Sequence, residues 1–136
     1  YGLLDHRHTA EMDMNLGATV LFTPHLVPMN RGILATCYAR PAVDGLSTDA
    51  VLKVLAQRYA DEPFVVASHR SPSTKATLGT NAAHVTARYD ARTGTVVSIA
   101  AIDNLGKGAS GQAVQCMNLA LGLPETQGLA VVGTAP

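Results

Sequence analysis

The segment Val96-Val97-Ser98-Ile99-Ala100-Ala101-Ile102 constrains this chain more than any other. Successive side chains of a β-strand point to opposite faces, and both alternating sets are apolar here apart from Ser98. A strand of that kind belongs in the middle of a sheet, covered on both sides. Asn81 to Tyr89 reads as its partner, and Asp90-Ala91-Arg92-Thr93-Gly94 joins it to Thr95–Asp103 as a hairpin with a glycine-containing loop.

Other elements arrange themselves around that hairpin. Gly32 to Arg40 reads as a strand apolar on both faces, entered through the turn-like Asn30-Arg31-Gly32 and followed by a loop from Pro41 to Leu46. Ser47 or Thr48 opens the clearest helix: Asp49 suits its positive end, and Val51, Leu52, Leu55, Ala56 and Tyr59 form one apolar stripe. Phe64-Val65-Val66 is a short strand, and Ser68 to Ala76 a polar, exposed loop. Thr9 to Leu16 predicts a short helix capped by Thr9 and stopped by Gly17. Thr19 to Leu26 alternates like a strand, with Pro24 and Pro28 placing it at an edge. Ala109 to Leu121 predicts a last helix with Val114, Met117 and Leu121 buried, Gly122 as cap and Pro124 beyond. The small apolar tail to Pro136 is expected to dock on something. The sum is an α+β fold, a largely antiparallel sheet with helices on one face. It is not a βαβαβ series, so a complete nucleotide-binding domain is not expected.

Composition narrows the function. Lys+Arg equal Asp+Glu at 10 each, and no basic run or aromatic platform stands out, which argues against nucleic acid. No apolar run approaches the ~20 residues that cross a bilayer, so no membrane is expected, and the opening residues lack the basic and apolar regions of a signal peptide. Cys37 and Cys116 both sit in apolar surroundings, as free buried thiols of a reducing compartment do, so the expected location is cytoplasmic. The chain opens on a patterned segment without an initiator Met, as a fragment of a longer polypeptide would.

Three polar clusters could carry chemistry. His6-Arg7-His8-Thr9 places two imidazoles on one face if extended: an acid/base group with an anion-holding Arg, or else a solvated, frayed end. Metal binding by the His pair lacks further ligands at suitable spacing, so no metal is assigned. In the segment Thr23 to Gly32, Arg31 stands at a strand entrance, where its guanidinium can meet a carboxylate or phosphate or be a plain surface group. His25 there reads as a packing residue. Asp103 to Gln112 runs from a strand end through glycines into a helix start, whose bare amides suit polar ligands. The glycine spacing there fits neither the dinucleotide fingerprint nor the P-loop.

In this order, HRHTAEM at His6 to Met12, FTPHLVPMNRGIL at Phe22 to Leu34, DNLGKGASGQAVQCMN at Asp103 to Asn118 and LGLPETQGL at Leu121 to Leu129 resemble the N-acetyl-gamma-glutamyl-phosphate reductases. The resemblance covers essentially the whole chain. Ala10 departs from the usual Pro, which loosens the turn after the His pair, and Cys116 from a common Asn. It implies the C-terminal catalytic and dimerisation domain, residues 1–136, of a reductase like glyceraldehyde-3-phosphate dehydrogenase, with the N-terminal NADP-binding domain absent from this chain. Such enzymes reduce N-acetyl-L-glutamyl 5-phosphate to the 5-semialdehyde with NADPH, through attack by a cysteine, in arginine biosynthesis. The resemblance makes His8 the catalytic base, with His6 as the alternative. It gives His6, Arg7 and Arg31 to the substrate, and Asn104 and Gly108 to the nicotinamide end of NADP. Neither Cys37 nor Cys116 stands in the family's Asn-Pro-Gly-Cys-Tyr context, so the chain alone is expected to be inactive. The alternatives are an oligomerisation module that pairs through its sheet as a homo-oligomer, or a reductase of an aminoadipyl or carrier-linked acyl phosphate.

Overall fold

In a computed structural model that describes residues 1–133, the chain divides into two compact units, Tyr1–Asn30 and Arg31–Pro136. The first is built on helix α1 (His8–Leu16). Arg7, already helical at φ −54° and ψ −32°, stands at the N-cap without a side-chain bond. His6 supplies the acceptors instead: its Nδ1 takes the His8 N–H at 3.2 Å and its carbonyl takes the Thr9 N–H at 3.0 Å. The expected Thr9 cap is therefore wrong, and because α1 already starts at His8 the condition of an extended His6–His8 segment is not met. Gly17 ends α1 in the left-handed region, its N–H bonded to the Asp13 carbonyl.

The strand expected over Thr19 to Leu26 does not form; no ladder engages it among the described residues. The Val20 N–H goes to the Asp13 carboxylate at 2.8 Å, His25 Nδ1 lies 3.0 Å from the Thr23 carbonyl, and Pro24 and Pro28 offer no donor. Local side-chain acceptors thus compete successfully with sheet pairing.

The second unit carries a four-stranded sheet in the order β1-β4-β3-β2, with β1 Ile33–Ala39, β2 Val65–Ala67, β3 Ala83–Asp90 and β4 Thr95–Ile102. The expected hairpin is present: β3 and β4 pair antiparallel from Ala83↔Ile102 to Asp90↔Thr95. Its turn is held by Asp90, which accepts from the Arg92 N–H and the Thr93 hydroxyl. β1 pairs antiparallel on the other side of β4, with Ile33 opposite Ile102, whereas β2 runs parallel to β3. The sheet is thus mostly antiparallel, as expected, and mixed at one edge.

Helix α2 (Thr48–Arg58) is capped by Ser47, whose Oγ accepts the Ala50 N–H at 3.1 Å. It lies against β3 and β2. Thr48 Oγ1 both accepts the Tyr89 N–H and donates to the Tyr89 carbonyl, which fixes the helix start on β3. Val51, Leu52, Leu55 and Tyr59 are half-buried, while Ala56 of the predicted stripe is exposed.

Two expectations about burial fail in the same way. β4 is central, but it is not covered on both sides: Ala101 is its one fully buried residue. Every residue of β1 is exposed, Tyr38 by 73%. Cys37 on β1 and Cys116 are exposed free thiols rather than buried ones. Apolar strand pattern alone does not tell how much of a strand its own chain covers, and here that cover is partial.

Helix α3 (Gly111–Ala120) follows a five-residue π-helical turn, Gly106–Ser110, so it starts later than the expected Ala109. Its orientation is the reverse of the prediction. Gly111, Gln115 and Asn118 are buried, while Met117 and Leu121 are exposed and Val114 is half-exposed. The Asn118 amide donates to the carbonyls of Glu125 and Gln127, and Gln115 Nε2 donates to Glu125 at 2.6 Å. The polar face turns inward because the following loop has carbonyls to satisfy. Gly122 stops the helix at φ +67°, as expected. Of the tail predicted to dock, the described part is tied down where the Ala130 carbonyl accepts the Asn81 N–H at 2.7 Å, Val131 and Val132 remain exposed, and residues 134–136 lie outside the described residues.

Candidate functional site

The antiparallel register that sets Ile33 against Ile102 brings the residues before β1 beside those after β4. Two contacts result. Arg31 Nε donates to Asp103 Oδ1 at 2.7 Å, and the Gly32 N–H donates to Asn104 Oδ1 at 2.7 Å. Gly32 adopts φ +119°, and a Cβ there would come within 2.6 Å of Thr74 Cβ, so the position requires glycine.

Asp103 is the hub of this corner. It is fully buried. Besides Arg31, its Oδ1 accepts the N–H groups of Leu105 at 2.9 Å and Gly106 at 3.0 Å, and its Oδ2 accepts the Gly79 N–H at 2.6 Å. Burial pushes its pKa up, but the Arg31 hydrogen bond and the three backbone donors outweigh that and hold it well below the usual carboxylate range. The π turn is closed by its own carbonyl, which accepts the Gly108 N–H at 2.9 Å. A Cβ at Gly106 would collide with the Thr80 carbonyl, so this close approach too needs glycine.

A second polar cluster lies behind the π turn. Gln115 Oε1 accepts from Lys107 Nζ at 2.6 Å and from Asn81 Nδ2 at 2.8 Å, and the Lys107 ammonium sits 5.6 Å from the centre of the buried Phe64 ring. This cluster ties the π turn and α3 to the chain before β3 and its polar groups face one another, which is a structural role.

In the first unit the His6 ring is the centre of an edge-to-face cluster. It packs against Tyr1 (centroids 5.3 Å apart), His8 (4.7 Å) and Phe22 (5.3 Å). Accepting through Nδ1 leaves His6 its Nε2 for a proton in the neutral form. His8 stands exposed at the start of α1 and lines a depression of about 390 Å³ with Glu11, Met12, Asn15, Leu16 and Phe22. Arg7 is exposed beside it.

The structure therefore brings Arg31 and Asn104 together in the second unit, with Gly108 on the adjoining π turn, and His6 and His8 together in the first. The Asn104 Oδ1 and the Gly108 N–H are already engaged within the chain. Among the described residues, no group of three or more His, Cys, Asp or Glu is placed to hold a metal. The structural role of Asp103 is not among the expectations from sequence. The signal was available: an Asp directly after a two-faced apolar strand and before a glycine turn commonly accepts the turn's free amides.

Comparison with known proteins completes the picture. The family described as semialdehyde dehydrogenase, dimerisation domain, matches residues 1–104. The chain is 52% identical over 96% of its length to a protein of Saccharopolyspora erythraea named N-acetyl-gamma-glutamyl-phosphate reductase. It is 50% identical to proteins of the same name from Streptomyces coelicolor, over 96% of the chain, and Frankia casuarinae, over all of it. The chain spans 40–42% of the length of these relatives.

Proposed function

The chain belongs to the semialdehyde dehydrogenase dimerisation-domain family, and on that premise we propose that it is the C-terminal, substrate-side part of an NADP-dependent N-acetyl-gamma-glutamyl-phosphate reductase. The observation that carries this reading is the identity of about half the residues, across nearly the whole chain, with relatives of that name. The anchored Arg31 supports it, because a guanidinium held through Nε keeps its terminal nitrogens for a phosphate or carboxylate.

In this proposal Arg31 and Arg7 hold the anionic groups of N-acetyl-L-glutamyl 5-phosphate. His8 takes and returns the proton of the attacking thiol, and His6, held by Tyr1 and Phe22, keeps His8 in place or serves the substrate. The thiol comes from outside this chain. Cys37 stands opposite Ser98 in the sheet, and Cys116 accepts from Gln112 on α3. Toward the nicotinamide the chain offers the Asn104 Nδ2 donor and the side-chain-free approach at Gly108. The absence of a phosphate-cradling glycine loop fits a cofactor bound mainly by other segments. When bound, the dinucleotide supplies hydride. We further propose that exposed β1 and the half-buried β4 beside it pair with a second copy, making a homo-oligomer, and that the protein is cytoplasmic, in keeping with two unpaired thiols. No described helix is long and apolar enough to cross a membrane.

The test is NADPH oxidation with N-acetylglutamyl phosphate. The chain alone is expected to give none, and the chain joined to the portion of the Saccharopolyspora erythraea relative that it does not match is expected to turn over. Turnover by the chain alone, or silence of the joined protein, overturns the reading. An aminoadipyl phosphate run in parallel separates the related substrate class.

A further inference from the structure

We propose that Asp103 is a positioning residue that aims Arg31, so that the guanidinium meets an oxyanion end-on through its two Nη groups. The inference rests on the reading of Arg31 as the substrate-anion residue and deepens it.

A guanidinium has five N–H donors in one plane and two edges on which an oxyanion can be held bidentately. Asp103 takes the Nε donor at 2.7 Å, which spends the side edge. Among the described residues no hydrogen bond engages the Nη groups, and the Arg31 side chain is 36% exposed, so the end edge remains for a ligand. A fully buried carboxylate is an unusual holder for this purpose, because it also cancels the charge it orients. Here that cancellation is incomplete. The Asp103 negative charge is shared among three backbone amides, from Gly79, Leu105 and Gly106, and Arg31 supplies one donor of four. The outward side of the guanidinium thus keeps cationic character while its torsions are fixed.

The backbone beneath is fixed by the neighbouring residue pair. Asn104 holds the Gly32 N–H, so the two consecutive residues after β4 clamp the two consecutive residues before β1. Asp103 sets the side chain and Asn104 the backbone from which it grows. A long Arg side chain held at both places loses little further rotamer freedom on binding, which is the condition for strong recognition of a small anion.

The experiment uses the full 136-residue chain, isotope-labelled for NMR, with inorganic phosphate and N-acetylglutamate titrated in separate arms. In the wild type, the Arg31 Nε–H signal is expected to be shielded from solvent exchange and to hold its position, while the Nη signals move with added anion. The stronger of the two arms identifies phosphate or carboxylate as the group received. Asp103→Asn, checked for folding by its thermal transition, is expected to lose that shielding and to bind the anion about threefold to tenfold more weakly, the loss of one oriented hydrogen bond. Asp103→Glu serves as the second variant should Asp103→Asn not fold, with the same two readouts. Unchanged affinity in the folded Asp103 variant, with Arg31→Ala weakened, overturns the positioning role and leaves the substrate reading standing. Unchanged affinity in Arg31→Ala, or no anion binding by the wild type, overturns both.

Discussion

At the scale of single residues, the second unit is organised by one buried carboxylate. Asp103→Ala would leave the amides of Gly79, Leu105 and Gly106 without their acceptor and Arg31 without its partner, and is expected to cost about 3 kcal/mol or more by denaturant titration. Part of the Arg31 contribution is screened, since that side chain is over a third exposed. The pH dependence has a definite sign. The folded-state pKa of Asp103 lies below its unfolded value of about 3.8, so its contribution is complete above that value and is lost as pH falls toward the folded pKa. Acid unfolding followed by circular dichroism should therefore steepen below about pH 4 in the wild type, and Asp103→Asn should flatten that limb. Local context and the family resemblance together single out Arg31 as a candidate substrate residue, and the resemblance alone singles out Asn104 for the cofactor. For Asp103 the bonds to the turn amides of Leu105 and Gly106 have a local sequence signal, whereas those to Gly79 and Arg31 depend on positions that only the fold brings to it.

Elements were legible where their signals are local. Helix α2 carries its own cap in Ser47 and its own stripe, and the β3–β4 hairpin carries its own turn in Asp90 to Gly94. Helix α3 faces the other way from its apolar line, because Gln115 and Asn118 turn inward to bond Glu125 and Gln127 while Met117 and Leu121 stay exposed. The reversed orientation has a sharp consequence. Asn118→Leu, which a hydrophobic pattern would favour, is expected to destabilise by about 1–3 kcal/mol by orphaning the Glu125 and Gln127 carbonyls. Met117→Ser on the exposed face should change stability by less than about 0.5 kcal/mol. Both values follow from thermal melts of the isolated chain. The Thr19–Leu26 strand was lost for a comparable reason: alternation is a statement about faces, and Asp13 removed the Val20 donor that pairing would have needed.

For the whole molecule, the surface left bare is the informative feature. Among the described residues more of the buried ones are polar than apolar, while β1 exposes Ile33, Leu34 and Tyr38. An apolar edge strand left exposed beside a polar interior is the kind of surface on which proteins associate. Tyr38→Asp on β1 is expected to shift sedimentation toward the monomer without lowering the melting temperature of the monomeric form, and an unchanged mass distribution would exclude this face as the contact. The proposed function has the same character, with base and anion holders on this chain and the nucleophile on another segment.

That division of labour is most directly measured as phosphate release from N-acetylglutamyl phosphate by the chain joined to the unmatched portion of its relative. With Cys37→Ser and Cys116→Ser together, release should stay within about twofold of the unsubstituted protein, because neither thiol attacks; with His8→Asn it should fall by about a hundredfold or more, as expected when a general base is lost. Loss of phosphate release in the double cysteine variant, or its retention in His8→Asn, would contradict the account.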